Sequence, residues 1–321
     1  ANLAITNAFN LGARKMILSG NSSLTGGKIT MDNVNSLIQV TSACTIANDI
    51  AFSANSASGK GLDIDNSCII SGDLSTSSNV IIDLASGATL AYSGGAFAIA
   101  ANTLNLLGTG TLNNSANAIT FSTGTLDIDG SLTISGAITI SGSATFDIAA
   151  SKTLTYSGAA IDVGANTLSI DGTGTITNSN NINLNATASL IELVGATISK
   201  LNQSADAAAN KGINVATTAS TITTFTSAGQ SRIDLGANLT ITDAFNLTGE
   251  TMILSGTNTL DGGAITLNNV NSLIQVTAAC TIANDLAFTA NSATGKGLDI
   301  NNSCTISGDL STSANLIIEI D

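Results

Sequence analysis

Few side chains in this sequence could do chemistry. Histidine is absent from the 321 residues, which removes Ser-His-Asp and Cys-His catalysis and the usual zinc sites together. What remains are two carboxylate pairs, Asp63/Asp65 and Asp127/Asp129, and two cysteine pairs, Cys44/Cys68 and Cys280/Cys304. Two positions apart on a strand, the members of each carboxylate pair project from one face. Such pairs can act in a glycosidase or lyase, or supply hard oxygen ligands to calcium.

Against catalysis, the later copy of the first pair reads Asp299 and Asn301, and no cluster of Lys or Arg stands nearby to grip an acidic sugar. Against a dedicated calcium site, only fragments such as Leu126-Asp127-Ile128-Asp129-Gly130 approach a calcium-binding nonapeptide with paired glycines and a fixed Asp. The expectation is solvated outer-face carboxylates, no enzyme activity and no cofactor, with Asp63, Asp65, Asp127 and Asp129 as the candidates should calcium bind. Each cysteine pair spans 24 residues (68 − 44 and 304 − 280), and all four cysteines open a Cys-x-Ile pattern. If that spacing is one turn of a coil, partners lie about 4.8 Å apart, within disulfide range. Buried free thiols packing as small apolar fillers fit the same spacing.

The elements that must carry these residues are strands. Hydrophobic residues make up 43% and aromatics 3%, so an interior must be filled by Ile, Leu, Val and Ala. There are 31 Gly and no Pro, and the polar remainder is mainly Ser, Thr and Asn. That is a turn-rich β composition, and the missing Pro suits a chain whose N–H groups are nearly all needed for ladders. Alternation is explicit in Leu132, Ile134, Ile138 and Ile140 around Gly136, and in Leu3, Ile5, Phe9 and Leu11 with their counterparts Leu239, Ile241, Phe245 and Leu247. The one helix-like tract, Ala-rich Ser204–Asn210, aligns with Ser53–Gly59 and reads as a wider turn.

Internal repeats set the scale. Residues 2–84 recur as 238–320, an offset of 236 (238 − 2), with 60 of 83 positions identical. A sub-repeat relates 90–114 to 154–178, an offset of 64, through Leu90-Ala91-Tyr92-Ser93-Gly94 and Leu154-Thr155-Tyr156-Ser157-Gly158. Lys60-Gly61-Leu62-Asp63-Ile64 returns as Lys211-Gly212-Ile213-Asn214-Val215, an offset of 151, and again from Lys296. A coil of roughly 21–22 residues divides these offsets into about 3, 7 and 11 coils. The sequence therefore predicts an all-β parallel β-helix or β-solenoid of about 15 coils, continuous over 1–321. A line through Cys44, Cys68, Leu90, Leu112, Leu132, Leu154 and Ile176 is expected to mark one inward position on successive coils.

Net charge is −13 with a pI near 4.1, which argues against nucleic acid or an anionic membrane as partner. No stretch approaches a membrane span, and Ala1–Asn10 lacks the pattern of a signal peptide, so any export signal is expected outside this segment.

The Ser/Thr/Asn/Gly-rich coils, as in Gly130-Ser131-Leu132-Thr133-Ile134-Ser135-Gly136, resemble the passenger regions of bacterial autotransporter adhesins and filamentous-haemagglutinin-like exoproteins. The likeness lies in composition and coil pattern over essentially the whole chain, and no functional residue carries over. It implies a right-handed parallel β-helix outside the cell or on its surface, serving adhesion or cohesion. Together with the repeats it leads to an expected role as a structural or adhesive fibre segment, self-associating with like repeats and meeting cell-surface glycans. The alternatives are an outer-face binding module for glycan, ice or calcium and, further off, a carbohydrate-active enzyme. Thr-x-Thr at Thr221–Thr223 and Thr240–Thr242 carries the ice alternative, although a working ice face needs it on many consecutive coils.

Overall fold

The computed structural model describes residues 2–115 and 117–321. Among them every regular element is a strand, and the chain is an all-β parallel β-solenoid of about 14 turns. The expected count of about 15 came from dividing the full length by one coil, which also counts residues that complete no turn. Chain contacts divide the molecule into two units, Ala1–Ile161 with Thr175–Asn180, and Asp162–Gly174 with Asn181–Asp321.

In the first unit each turn contributes one strand to each of three faces. Face one runs Lys15–Leu18, Leu37–Val40, Gly61–Ile64, Val80–Leu84, Thr103–Gly108, Thr125–Ile128 and Ala144–Ile148. Face two includes Ser22–Gly26, Cys44–Ile46, Cys68–Ile70, Thr89–Tyr92, Thr111–Asn113, Leu132–Ile134 and Thr153–Tyr156. Face three carries short strands such as Ile29–Met31, Ile50–Phe52, Leu74–Thr76, Phe97–Ala100 and Ile138–Ile140. The strand pairings among the described residues are parallel, and like lies over like: Val40 opposite Ile64, Ile64 opposite Leu84, Leu126 opposite Phe146. Alternation points one set inward, so Ile46, Ile64, Leu90, Ile128 and Ile148 are fully buried while their strand neighbours face out. The few aromatics also go inside: every Phe and Tyr except Phe9 is buried, so the interior is less purely aliphatic than composition suggests.

Face three is interrupted, and the cause is visible. Its ladder stops at Leu74–Thr76 and again at Ile138–Ile140. At the first stop the Leu74 N–H donates to the Tyr92 hydroxyl at 3.0 Å, and that hydroxyl donates to the Gly95 carbonyl at 2.6 Å. At the second, the Ile138 N–H donates to the Tyr156 hydroxyl at 3.2 Å. Each tyrosine takes a main-chain donor that a further strand would use. The two Tyr-Ser-Gly tracts seen as a repeat at offset 64 are thus two ladder stops. Gly158 is obligatory here, because a Cβ would stand 2.1 Å from the Gly136 carbonyl oxygen and 2.6 Å from the Tyr156 hydroxyl.

The line of landmarks holds from Cys44 to Leu112 and from Leu132 to Ile176, and fails between them. Leu112 lies opposite Ile134, so three turns from Leu90 lead to Tyr156 and not to Leu154. Leu132 and Ile134 both point inward, and a slip of two residues leaves facing unchanged, so alternation could not fix this register.

In the second unit, face one runs Thr167–Asp171, Leu190–Val194, Gly212–Val215, Ser231–Leu235, Thr251–Gly256, Leu273–Val276, Gly297–Ile300 and Ile318–Ile320. Two long strands, Thr197–Gln203 and Ser220–Ser227, pass through a corner unbroken; Ser220–Ser227 then pairs with both Leu239–Ile241 and Phe245–Leu247. Ser204–Asn210 is an irregular turn of the same form as Ser53–Gly59, as the alignment predicts.

Buried amides hold the corner between faces two and three. Asn48, fully buried, donates from Nδ2 to the Gly27 carbonyl at 2.6 Å, and Asn284 does the same to Gly263 at 2.7 Å. The following turn places Gly72 or Gly308 against that Asn, where a Cβ would come within 2.2 Å of its backbone oxygen.

Candidate functional site

Main-chain pairing puts the predicted carboxylates on the outer row of face one. Gln39, Asp63 and Asp83 occupy successive turns in register, as do Asn105, Asp127 and Asp147. Each pair is clamped by an amide from the turn before. Gln39 Nε2 donates to Asp65 Oδ2 at 2.8 Å, and Asn105 Nδ2 donates to Asp127 Oδ2 at 2.6 Å and Asp129 Oδ2 at 2.8 Å.

Stacking carboxylates one turn apart has an electrostatic consequence. Burial lifts Asp63 above the usual carboxylate range, and the charges of Asp65 and Asp83 lift it further, against the pull of Lys15. Burial likewise lifts Asp127, with Asp129 and Asp147 adding to the rise and the Asn105 amide opposing it. Among the described residues no group of three or more His, Cys, Asp or Glu could hold a metal ion. At both calcium candidates, amide hydrogens occupy carboxylate oxygens that an ion would need, since calcium takes roughly six to eight oxygens.

The cysteines are placed in register, Cys44 opposite Cys68 and Cys280 opposite Cys304, all four as free thiols. The Cys44 and Cys68 sulfurs are 3.3 Å apart. The hydrogen bond from Cys68 lowers the Cys44 thiol, burial acting the other way, while the same bond and then burial raise Cys68. Burial pushes Cys280 up to about 12 and also raises Cys304.

Two surfaces escaped the sequence reading. Thr89, Thr111, Thr133, Thr155 and Thr177 lie in register on five consecutive turns of face two. Their spacing is 22 residues throughout, and three of them close a further Thr-x-Thr tripeptide, Thr109–Thr111, Thr153–Thr155 and Thr175–Thr177. In the second unit a groove of about 440 Å³ sets Glu192, Lys211, Arg232 and Asp234 over a floor that includes Leu190 and Ile253. Arg232 Nε donates to the Ala207 carbonyl at 3.0 Å, tying it to the wide turn, and Asn214 Nδ2 donates to Glu192 Oε1 at 3.3 Å. The sequence singles out Lys211, Ile213 and Asn214 only as part of a repeated tract; the groove itself is assembled by successive turns of face one, which no local motif marks.

No protein-family profile, curated protein sequence or solved structure matches the chain. The fold and its pairings define the class: a β-solenoid repeat protein.

Proposed function

We propose that this chain is a structural or adhesive segment of an extracellular surface fibre, acting by repeating one turn geometry and associating with like repeats. The observation that carries this reading is what the two copies, 2–84 and 238–320, share. They keep an apolar residue at each buried inward position, most of them identical, together with the corner amides Asn48 and Asn284 and the wide turns. They let the outside change, down to a reversal of charge between Gly12-Ala13-Arg14-Lys15 and Thr248-Gly249-Glu250-Thr251. A fixed apolar interior under an exterior that tolerates even a reversal of charge fits a mechanical role better than a shared chemical one. The resemblance to autotransporter and filamentous-haemagglutinin-like passengers supports the extracellular setting. Electron microscopy and fibre diffraction of the full chain test the reading. Slender assemblies with an axial repeat of about 4.8 Å are expected; compact, non-associating particles that turn over a polysaccharide would overturn it.

One observation favours a second reading, an outer-face binding surface. The threonine row repeats one residue at one-strand intervals over five turns, which supplies the regular spacing of an ice-binding face on a single rank, without the Thr-x-Thr tripeptide on every turn. Inhibition of ice recrystallisation by the wild-type chain, abolished in Thr133→Lys, is the expected result on that reading. No inhibition by the wild-type chain removes it.

A further inference from the structure

We propose that Cys44 and Cys68 form an oxidisable pair, closed into an inter-turn disulfide by exchange with a small-molecule disulfide. Three observations converge on it. The two residues are opposite one another in a parallel ladder, where strands run about 4.8 Å apart and a disulfide spans Cα atoms roughly 4.4–6.8 Å apart. Their sulfurs are already 3.3 Å apart, so bond formation at about 2.05 Å requires side-chain rotation and no backbone movement. The strands that carry them border a hollow of about 480 Å³, and Cys44 is the less buried of the two, 8% exposed against 1% for Cys68, so the first attack falls to the sulfur nearer solvent.

The pair is also asymmetric in the way exchange requires. Cys44, its thiol lowered by the bond from Cys68, is the attacking thiolate. It displaces one thiolate from the small disulfide and forms a mixed disulfide; the leaving thiolate takes up a proton. Cys68 then gives its proton to solvent and attacks the Cys44 sulfur, and the second small thiol leaves. The protein loses two protons and two electrons, and the small disulfide takes them up to become two thiols. Because Cys68 is raised by the same hydrogen bond and by burial, this second step is the slower one, and the mixed disulfide accumulates first.

The test uses the full native chain incubated with oxidised glutathione, quenched by alkylation and digested at Lys and Arg. Lys60 separates the two cysteines, so closure appears as one linked peptide joining residues 29–60 to 61–152. The expected result is a transient Cys44 mixed disulfide followed by that linked peptide, with its formation abolished by Cys44→Ser and preserved in Cys280→Ser. Thermal melting supplies a second readout: oxidation raises the midpoint of wild type and of Cys280→Ser, and leaves Cys44→Ser and Cys68→Ala unmoved. Persistent mixed disulfide without linkage, or complete alkylation of both thiols after oxidation, overturns the proposal. Loss of the fibre reading would leave this result untouched, since linkage is read on the chain itself.

Discussion

The two copies of the 83-residue module share a scaffold and differ in how they handle charge. In the first, Gln39 donates to Asp65 while Asp63 stands between Asp65 and Asp83, and its carboxyl is raised. In the second, Asn301 replaces Asp65, and both Gln275 and Asn301 donate to Asp299, at 2.8 and 3.2 Å. One substitution turns a repulsive neighbour into a hydrogen-bond donor. The interior varies only among apolar residues: Ile38, Val40, Ile46 and Phe52 recur as Ile274, Val276, Ile282 and Phe288, and Met31 and Ile50 give way to Leu267 and Leu286, all buried. Stacking constrains what points inward, and little constrains what points out.

The largest expected effect tests the shared interior. Phe52→Ala and Phe288→Ala each leave a cavity and should cost about 3–5 kcal/mol of local stability, read by native-state hydrogen exchange on the flanking turns. A large loss in one copy with none in the other would break the equivalence. Next come the corner amides. Asn48→Ala and Asn284→Ala each remove the partner of a half-buried carbonyl, Gly27 or Gly263, at about 1 kcal/mol, visible as faster proteolysis at that corner.

A smaller effect sharpens the charge difference. The raised Asp63 carboxyl binds its proton more tightly when folded, so its contribution to stability is present below the ordinary carboxylate range and fades as pH rises through the raised value. Asp65→Asn, which copies the second module, should therefore raise the melting midpoint at neutral pH and lose its advantage in acid. Asp63 is half-buried on the solvent-facing row, and solvent screening holds the gain to about 1 kcal/mol or less. Asn301→Asp should do the reverse. Smallest of all, exchanging residues 12–15 for 248–251 should change stability by no more than about 0.5 kcal/mol, measured by urea denaturation.

The fold was legible because like stacks on like: turn spacing repeats in the sequence, and alternation in Leu132, Ile134, Ile138 and Ile140 marks residues that are all buried. Exposure of an expected core position was not legible. Leu3 is 58% exposed where its counterpart Leu239 is fully buried, because Leu239 is covered by the turn carrying Ser220. Register between Leu112 and Ile134 was hidden by the tolerance of alternation for a two-residue slip. The roles of Tyr92, Tyr156, Asn48 and Asn284 were hidden for another reason. A tyrosine that ends a ladder and an asparagine that ties a corner carry no local signature; each acts on a main-chain group 18 to 21 residues away.

The purely parallel, neighbour-only pairing also sets how such a gene can change length. Since Leu112 meets Ile134 through the same bonds by which Leu90 meets Leu112, excising or copying the intervening DNA rejoins compatible surfaces, whereas a cut of half that size turns the apolar side to solvent. Length of the solenoid thus becomes a matter of copy number, adjustable by recombination without inventing a new contact.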